Sequence, residues 1–201
     1  MPTRTTRRIL VSDIAAAPWK NGGGVTREIA TGASPGAGAD PDADWGWRVS
    51  LAEVARDGPF SLFPDTDRVI AVIDGAGMDL IRPDGSILPL DPLQPVRFAG
   101  EAPLSGRLRS GPVRDLNAMV RRGRFAAQME ILQGPSSVSF ETGDHDCLLV
   151  LTLIGSCAVR LEGDESHDLA PAEVLIHEGT VRADVQPAAN GRAAVIRIAA
   201  Q

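Results

Sequence analysis

A chain of 201 residues with 26 acidic and 20 basic side chains, net charge −6, is long enough for one large all-β domain or two small ones, and it lacks the basic face that nucleic acid requires. No run approaches the roughly 18 apolar residues of a membrane span, and the amino-terminal imitation of a signal peptide ends at Ser12 and Asp13, after only Ile9-Leu10-Val11. Two cysteines, Cys147 and Cys157, fit buried free thiols in a reducing compartment better than a disulfide framework, so the expectation is a cytoplasmic protein with neither nucleic-acid nor membrane partners.

Glycine (21) and proline (15) punctuate short runs rich in Val, Ile and Leu, which is the spacing of an all-β fold. In chain order, a strand is expected over 8–11, then a Gly-rich turn, a second strand over 25–30 and a mobile loop over 31–44. Residues 45–54 alternate, placing Trp47, Val49 and Leu51 on one face and Arg48, Ser50 and Ala52 on the other. Turn chemistry follows at 57–60 and 63–66, with Phe60 and Phe63 as aromatic plugs. An apolar strand over 67–75 closes on Gly75, and shorter strands are expected at 78–81 and 87–90. Residues 115–120 read as extended, Arg121, Arg122 and Arg124 as a solvated turn, and a short helix is expected within 123–134.

The second half echoes the first. The run 146–155 repeats the pattern of 67–75, residues 157–161 repeat 78–81, and Gly163 stands where Gly85 stood, at an offset of about 78 to 80 throughout. That regularity predicts two duplicated β-domains.

The stretch Pro18-Trp19-Lys20-Asn21-Gly22-Gly23-Gly24-Val25-Thr26-Arg27-Glu28-Ile29 is more polar and more glycine-rich than a plain turn requires. It lacks the order of a P-loop and of a dinucleotide fingerprint, and an Asn-Gly hairpin accounts for part of it. Together with Trp47-Arg48-Val49-Ser50, Asp57-Gly58-Pro59-Phe60-Ser61, Phe63-Pro64, Asp67-Arg68, Phe98, Gly100-Glu101 and Asp115-Leu116-Asn117 with Met119, it resembles the HutD/Ves family. The resemblance implies a bicupin, two small antiparallel cupin-like β-barrels in one chain. The boundaries expected are 1–115 for an N-terminal barrel with the ligand pocket and 116–201 for a C-terminal barrel, strand exchange between the halves being left open. It also implies a bacterial regulatory protein of histidine utilisation that binds a carboxylate intermediate such as formylglutamate, with no cofactor.

A carboxylate ligand needs a planar guanidinium, small hydroxyl or amide groups and an apolar wall. Arg48 and Ser50, on one strand face, meet the first two needs and make Arg48 the expected anchor. Thr26 and Glu28 share a face likewise. Lys20, Asn21 and the amides of Gly22, Gly23 and Gly24 are expected at the barrel mouth, Trp19 as a cap, and Asn117 with Met119 at the other end of the cavity. His145, His167 and His177 lack the spacing of a ligand set, so no metal is expected. The alternatives are a metal-independent isomerase or epimerase using Lys20 or Glu28 as acid and base, and a barrel with no ligand. A homodimer is left open.

Overall fold

The computed structural model describes residues 4–33, 45–163 and 166–201. The first half carries β1 (Thr5–Leu10), a 3-10 turn (Val11–Asp13), β2 (Ala17–Pro18), β3 (Gly24–Ala33), β4 (Trp45–Val54), β5 (Gly58–Pro59), β6 (Thr66–Asp74), β7 (Met78–Ile81), β8 (Ile87–Leu90), β9 (Val96–Ala99), β10 (Ser105–Leu108) and β11 (Val113–Arg121). Then come β12 (Phe125–Gln133), β13 (Val138–Thr142), β14 (Cys147–Ile154), β15 (Cys157–Leu161), β16 (Ser166–Leu169), β17 (Glu173–Glu178), β18 (Val181–Pro187) and β19 (Arg192–Ala200). There is no α-helix among the described residues. Of the loop expected over 31–44, residues 34–44 lie outside them, while Thr31 to Ala33 are strand and extend β3 instead.

Two compact units divide the chain, one over Ile14–Ala127 and one combining Met1–Asp13 with Gln128–Gln201. The break expected between 115 and 116 falls inside β11, which hydrogen-bonds to β4 and β6 along its length and so belongs wholly to the first unit. In that unit a six-stranded sheet, ordered β2-β3-β4-β11-β6-β9, accompanies a four-stranded sheet ordered β5-β10-β7-β8. In the other, a five-stranded sheet ordered β1-β17-β14-β19-β12 accompanies one ordered β13-β18-β15-β16. Each unit is thus a pair of sheets packed across a core, the cupin-like jelly roll that the bicupin expectation implies, its sheets not closing into a continuous barrel.

The orders repeat strand for strand. Replacing each of β4 to β11 by the strand eight places later turns β4-β11-β6-β9 into β12-β19-β14-β17, and β5-β10-β7-β8 into β13-β18-β15-β16. The register irregularity recurs as well, between Arg114 and Asp115 against β6 and between Thr152 and Ile154 against β19. Pairing therefore equates Val72 and Asp115 with Thr152 and Ala193, at offsets of 80 and 78. The duplication read from the sequence has its structural counterpart here.

Within 123–134, where a short helix is expected, Phe125–Gln133 forms the strand β12. Phe125, Ala127 and Met129 are buried alternately, and β12 is an edge of the five-stranded sheet, so sheet pairing outweighs the helix preference of Ala126-Ala127-Gln128-Met129-Glu130. The arginines at the end of β11 hold local structure: Arg122 bridges Asp67 at 3.0 Å and Glu101 at 2.8 Å, and the Arg121 guanidinium lies 4.6 Å from the centre of the Trp45 ring. His177 on β17 is buried, with Thr6 Oγ1 of β1 2.8 Å from its Nδ1. Cys147 and Cys157 are free and buried, and burial pushes both thiols up, Cys157 to about 11.

Candidate functional site

The first unit encloses a cavity of about 620 Å³. Its floor is one face of the six-stranded sheet, whose register sets side chains in rows. Glu28, Ser50, Asn117 and Ile70 lie side by side across β3, β4, β11 and β6. One step along the strands, Arg48, Met119, Arg68 and Phe98 form the next row, and one step the other way lie Thr26, Ala52, Asp115 and Val72. Because side chains alternate, Arg48, Ser50, Ala52 and Val54 all face the cavity. The opposite face, carrying Trp47, Val49 and Leu51, is buried as well. Burial on both faces is why alternation alone could not say which face lines the cavity.

The hairpin loop between β2 and β3 shapes the rim. Trp19 N donates to Gly24 O at 2.9 Å, Gly22 N to Trp19 O at 3.0 Å, and Gly23 N to Asn21 Oδ1 at 3.0 Å. Gly22 takes φ 68°, which favours glycine, and a Cβ on Gly24 would stand 2.3 Å from Glu53 O, so these two positions exclude a side chain for local reasons. The amides of Gly22 and Gly23 are therefore engaged inside the loop, and of the three glycines Gly23 lines the cavity. Trp19 lies on the cavity wall with Nε1 donating to Thr26 Oγ1 at 2.7 Å, which fixes both side chains. Lys20 and Asn21 complete the mouth.

The expected residues Arg48, Ser50, Asn117 and Met119 are brought together on the floor. Glu28 is not on the cavity wall. It is half exposed and holds Arg48, its Oε2 lying 2.8 Å from Arg48 Nε, although off the N–H direction, so that Nε makes no aligned hydrogen bond. Arg48 keeps about a quarter of its side chain exposed.

The most deeply set charges are two that local reading passed over. Arg68 on β6 is 6% exposed and Asp115 on β11 is 2% exposed, and both line the cavity. The Arg68 guanidinium sits within 5.0 Å of the Phe98 ring centre, 5.3 Å of Phe60 and 5.6 Å of Phe63, an aromatic cage that accepts a cation without neutralising it. Its one hydrogen bond among the described residues is a long one, Nε to Asn117 Oδ1 at 3.5 Å. Burial pulls its pKa down to about 10; the Asp115 charge opposes the shift and the Arg48 charge adds to it. Burial pushes the Asp115 carboxyl up to about 7, against the pull of Arg68, and its side chain accepts no hydrogen bond from any described residue. The two form no ion pair with each other. The same alternation that selected Asn117 and Met119 on β11 places Asp115 on their face, and Arg68 is the one cation in the otherwise apolar run that Asp67 opens, so both had a signal in the sequence. Among the described residues no cluster of three His, Cys, Asp or Glu side chains is placed to hold a metal, and no helix is long and apolar enough to cross a membrane.

The chain is similar to known proteins over most of its length. The HutD family profile matches residues 11–195. A protein encoded in the hutC 3′ region of Pseudomonas putida is 37% identical over 167 residues, covering 83% of this chain and 84% of that protein. Protein Ves of Cronobacter sakazakii is 34% identical, covering 69% and 71%. The solved structure of HutD from Pseudomonas fluorescens SBW25 superposes with a TM-score of 0.80 at 30% identity, covering 98% of this chain and all of that one. An oxalate decarboxylase of Bacillus subtilis, 8% identical with a TM-score of 0.60 over 95% of this chain and 76% of its own, shares the fold alone. Matched across nearly its full length, with the glycine-rich rim and the arginine floor inside the matched span, the chain belongs to the HutD family.

Proposed function

We propose that the chain is a non-catalytic small-molecule-binding protein of histidine utilisation, cytoplasmic and regulatory, which holds a carboxylate intermediate such as formylglutamate in the cavity of its first unit. The observation that carries this reading is the caged guanidinium of Arg68. A buried cation with one long hydrogen bond, facing a second guanidinium across Met119, costs stability that an incoming carboxylate offsets. Ser50 and Asn117, both buried on the row beside them, supply a hydroxyl and an amide for the remaining lone pairs. Phe60, Phe63 and Phe98 exclude water and strengthen the charge pairing. The HutD structure from Pseudomonas fluorescens is that of a formate condition, and formate is the smallest member of the same ligand class.

Thermal-shift and calorimetric titrations with N-formyl-L-glutamate, L-glutamate, urocanate and formate test the reading. A carboxylate that binds the folded state raises the melting temperature by mass action. Arg68→Leu and Arg48→Ala should each lower affinity by about a hundredfold, since each removes a charged partner from a desolvated site. The absence of a shift from every carboxylate would sink the proposal.

A second reading, a metal-independent enzyme, draws on one observation: Asp115 is a buried carboxyl held near neutrality at the cavity wall, which suits general acid–base work. Turnover of any of these probes in the same titrations would favour it.

A further inference from the structure

The cavity holds a buried cation and a buried anion that do not neutralise each other. Arg68 and Asp115 line one space and sense each other's charge, yet they form no ion pair, and the Asp115 side chain has no hydrogen-bond partner among the described residues. Their places on the sheet explain the separation. Asp115 stands four residues before Met119 on β11, two rows below the arginine pair, a span of about 13 Å between Cα rows. Ala52 and Val72 flank it on β4 and β6 and offer it nothing. Arg68 leans toward it only as far as Asn117 Oδ1, in the row between. No described donor reaches its carboxyl, and its oxygens are not among the sealed polar atoms left without a partner, so its acceptor sites open on the cavity, where a ligand N–H can take them.

We propose that Asp115 is a specificity-determining acceptor that reads a nitrogen on the ligand, so that the site takes small carboxylates bearing an ammonium or amide N–H and rejects those with an acceptor or a methylene in that place. This rests on the carboxylate-binding reading above and deepens it. The carboxylate end lies against Arg48 and Arg68, Ser50 and Asn117 hold the middle, and the N–H of the ligand donates to the Asp115 carboxyl. The other charged groups on the cavity wall are Lys20, Arg56 and Asp57; Asp57 already accepts from Leu108 N at 2.8 Å, which leaves Asp115 as the free anionic acceptor of the floor.

Three probes of one carbon skeleton decide it: L-glutamate carries a donor at C2, glutarate a methylene and 2-oxoglutarate an acceptor. Calorimetry on the full chain at pH 8 should find glutamate bound about ten- to hundredfold more tightly than glutarate, with 2-oxoglutarate weakest, because a charge-assisted hydrogen bond is gained in the first case and two acceptors face each other in the last. In Asp115→Asn, whose amide can turn a donor toward the ligand, the order should collapse and 2-oxoglutarate should gain. Equal affinities of the wild type for the three probes would overturn the inference while leaving the carboxylate site intact, and this comparison stands even if the variant fails to fold. An unchanged order in a folded Asp115→Asn would overturn it too. Binding of none of the three, nor of formate, would overturn both this inference and the reading on which it rests.

Discussion

The two units are built on one strand order and differ in what fills them. Register equates Arg68 with Leu148, Asn117 with Val195 and Asp115 with Ala193, so three polar positions of the first unit's floor carry aliphatic side chains in the second. There Leu148, Val150, Val195 and Ala193 join Val159, Leu161 and Leu175 in one buried cluster. In the first unit the comparable cluster, around Ile70, Val72, Met78, Leu80 and Leu90, leaves the cavity beside it open. Apolar side chains interdigitate to crystal-like density when nothing polar must be satisfied. The contrast between cavity and packed core thus runs with these three positions on two strands, beside Arg48 and Ser50 on a third.

The largest effect expected from breaking this comparison is in the filled unit. Leu148→Arg copies the first unit's Arg68 into a site with neither cavity nor aromatic cage, and it should cost more than about 4 kcal/mol, enough to unfold that unit in a chemical-denaturation experiment. The reverse experiment is the triple replacement Arg68→Leu, Asp115→Ala and Asn117→Val. It should raise stability by about 1 to 4 kcal/mol in the same denaturant series, because it removes a buried, unpaired set of charges, and it should abolish carboxylate binding.

Asp115 gives a subtler test through pH. Its pKa is raised in the folded state, about 7 against the ordinary value of about 3.9 in the unfolded chain, so the folded form binds the extra proton. Stability is fully present below about pH 4, declines as pH rises through about 7, and then levels off, by at most on the order of 4 kcal/mol. Burial sets this value, and the charge that opposes it faces Asp115 from Arg68 on β6. Melting curves between pH 4 and 8 should show a smaller decline in Asp115→Asn than in the wild type; parallel curves would show that the carboxyl does not titrate in this window. The smallest effect belongs to the rim. Lys20 is exposed at the mouth, and Lys20→Ala should weaken binding only about two- to fivefold, chiefly through association rate, with a loss that fades in high salt.

Much of this was legible in the sequence where the signal is local. The alternation of 45–54 coincides with β4, the apolar runs coincide with β6 and β14, and the constant offset foretold the repeated strand order. What stayed hidden depends on partners far along the chain. Phe125 to Gln133 carries helix-forming residues and becomes a strand only through its place at a sheet edge. Arg48 was the visible anchor because it shares a strand face with Ser50. Arg68 joins it only because β11 lies between β4 and β6, setting Met119 opposite both, a register no local pattern contains. The glycines drew attention as a ligand cradle, yet two of their amides close the loop itself.

The polar floor of the first unit, anchored by Arg68, is what makes that unit a carboxylate site in this proposal. Isothermal titration of N-formyl-L-glutamate and L-glutamate into the wild type and Arg68→Leu, each first shown to melt cooperatively, tests it most directly. One site per wild-type chain and about a hundredfold weaker binding in the variant are the predicted result; equal affinity in the two proteins would contradict it.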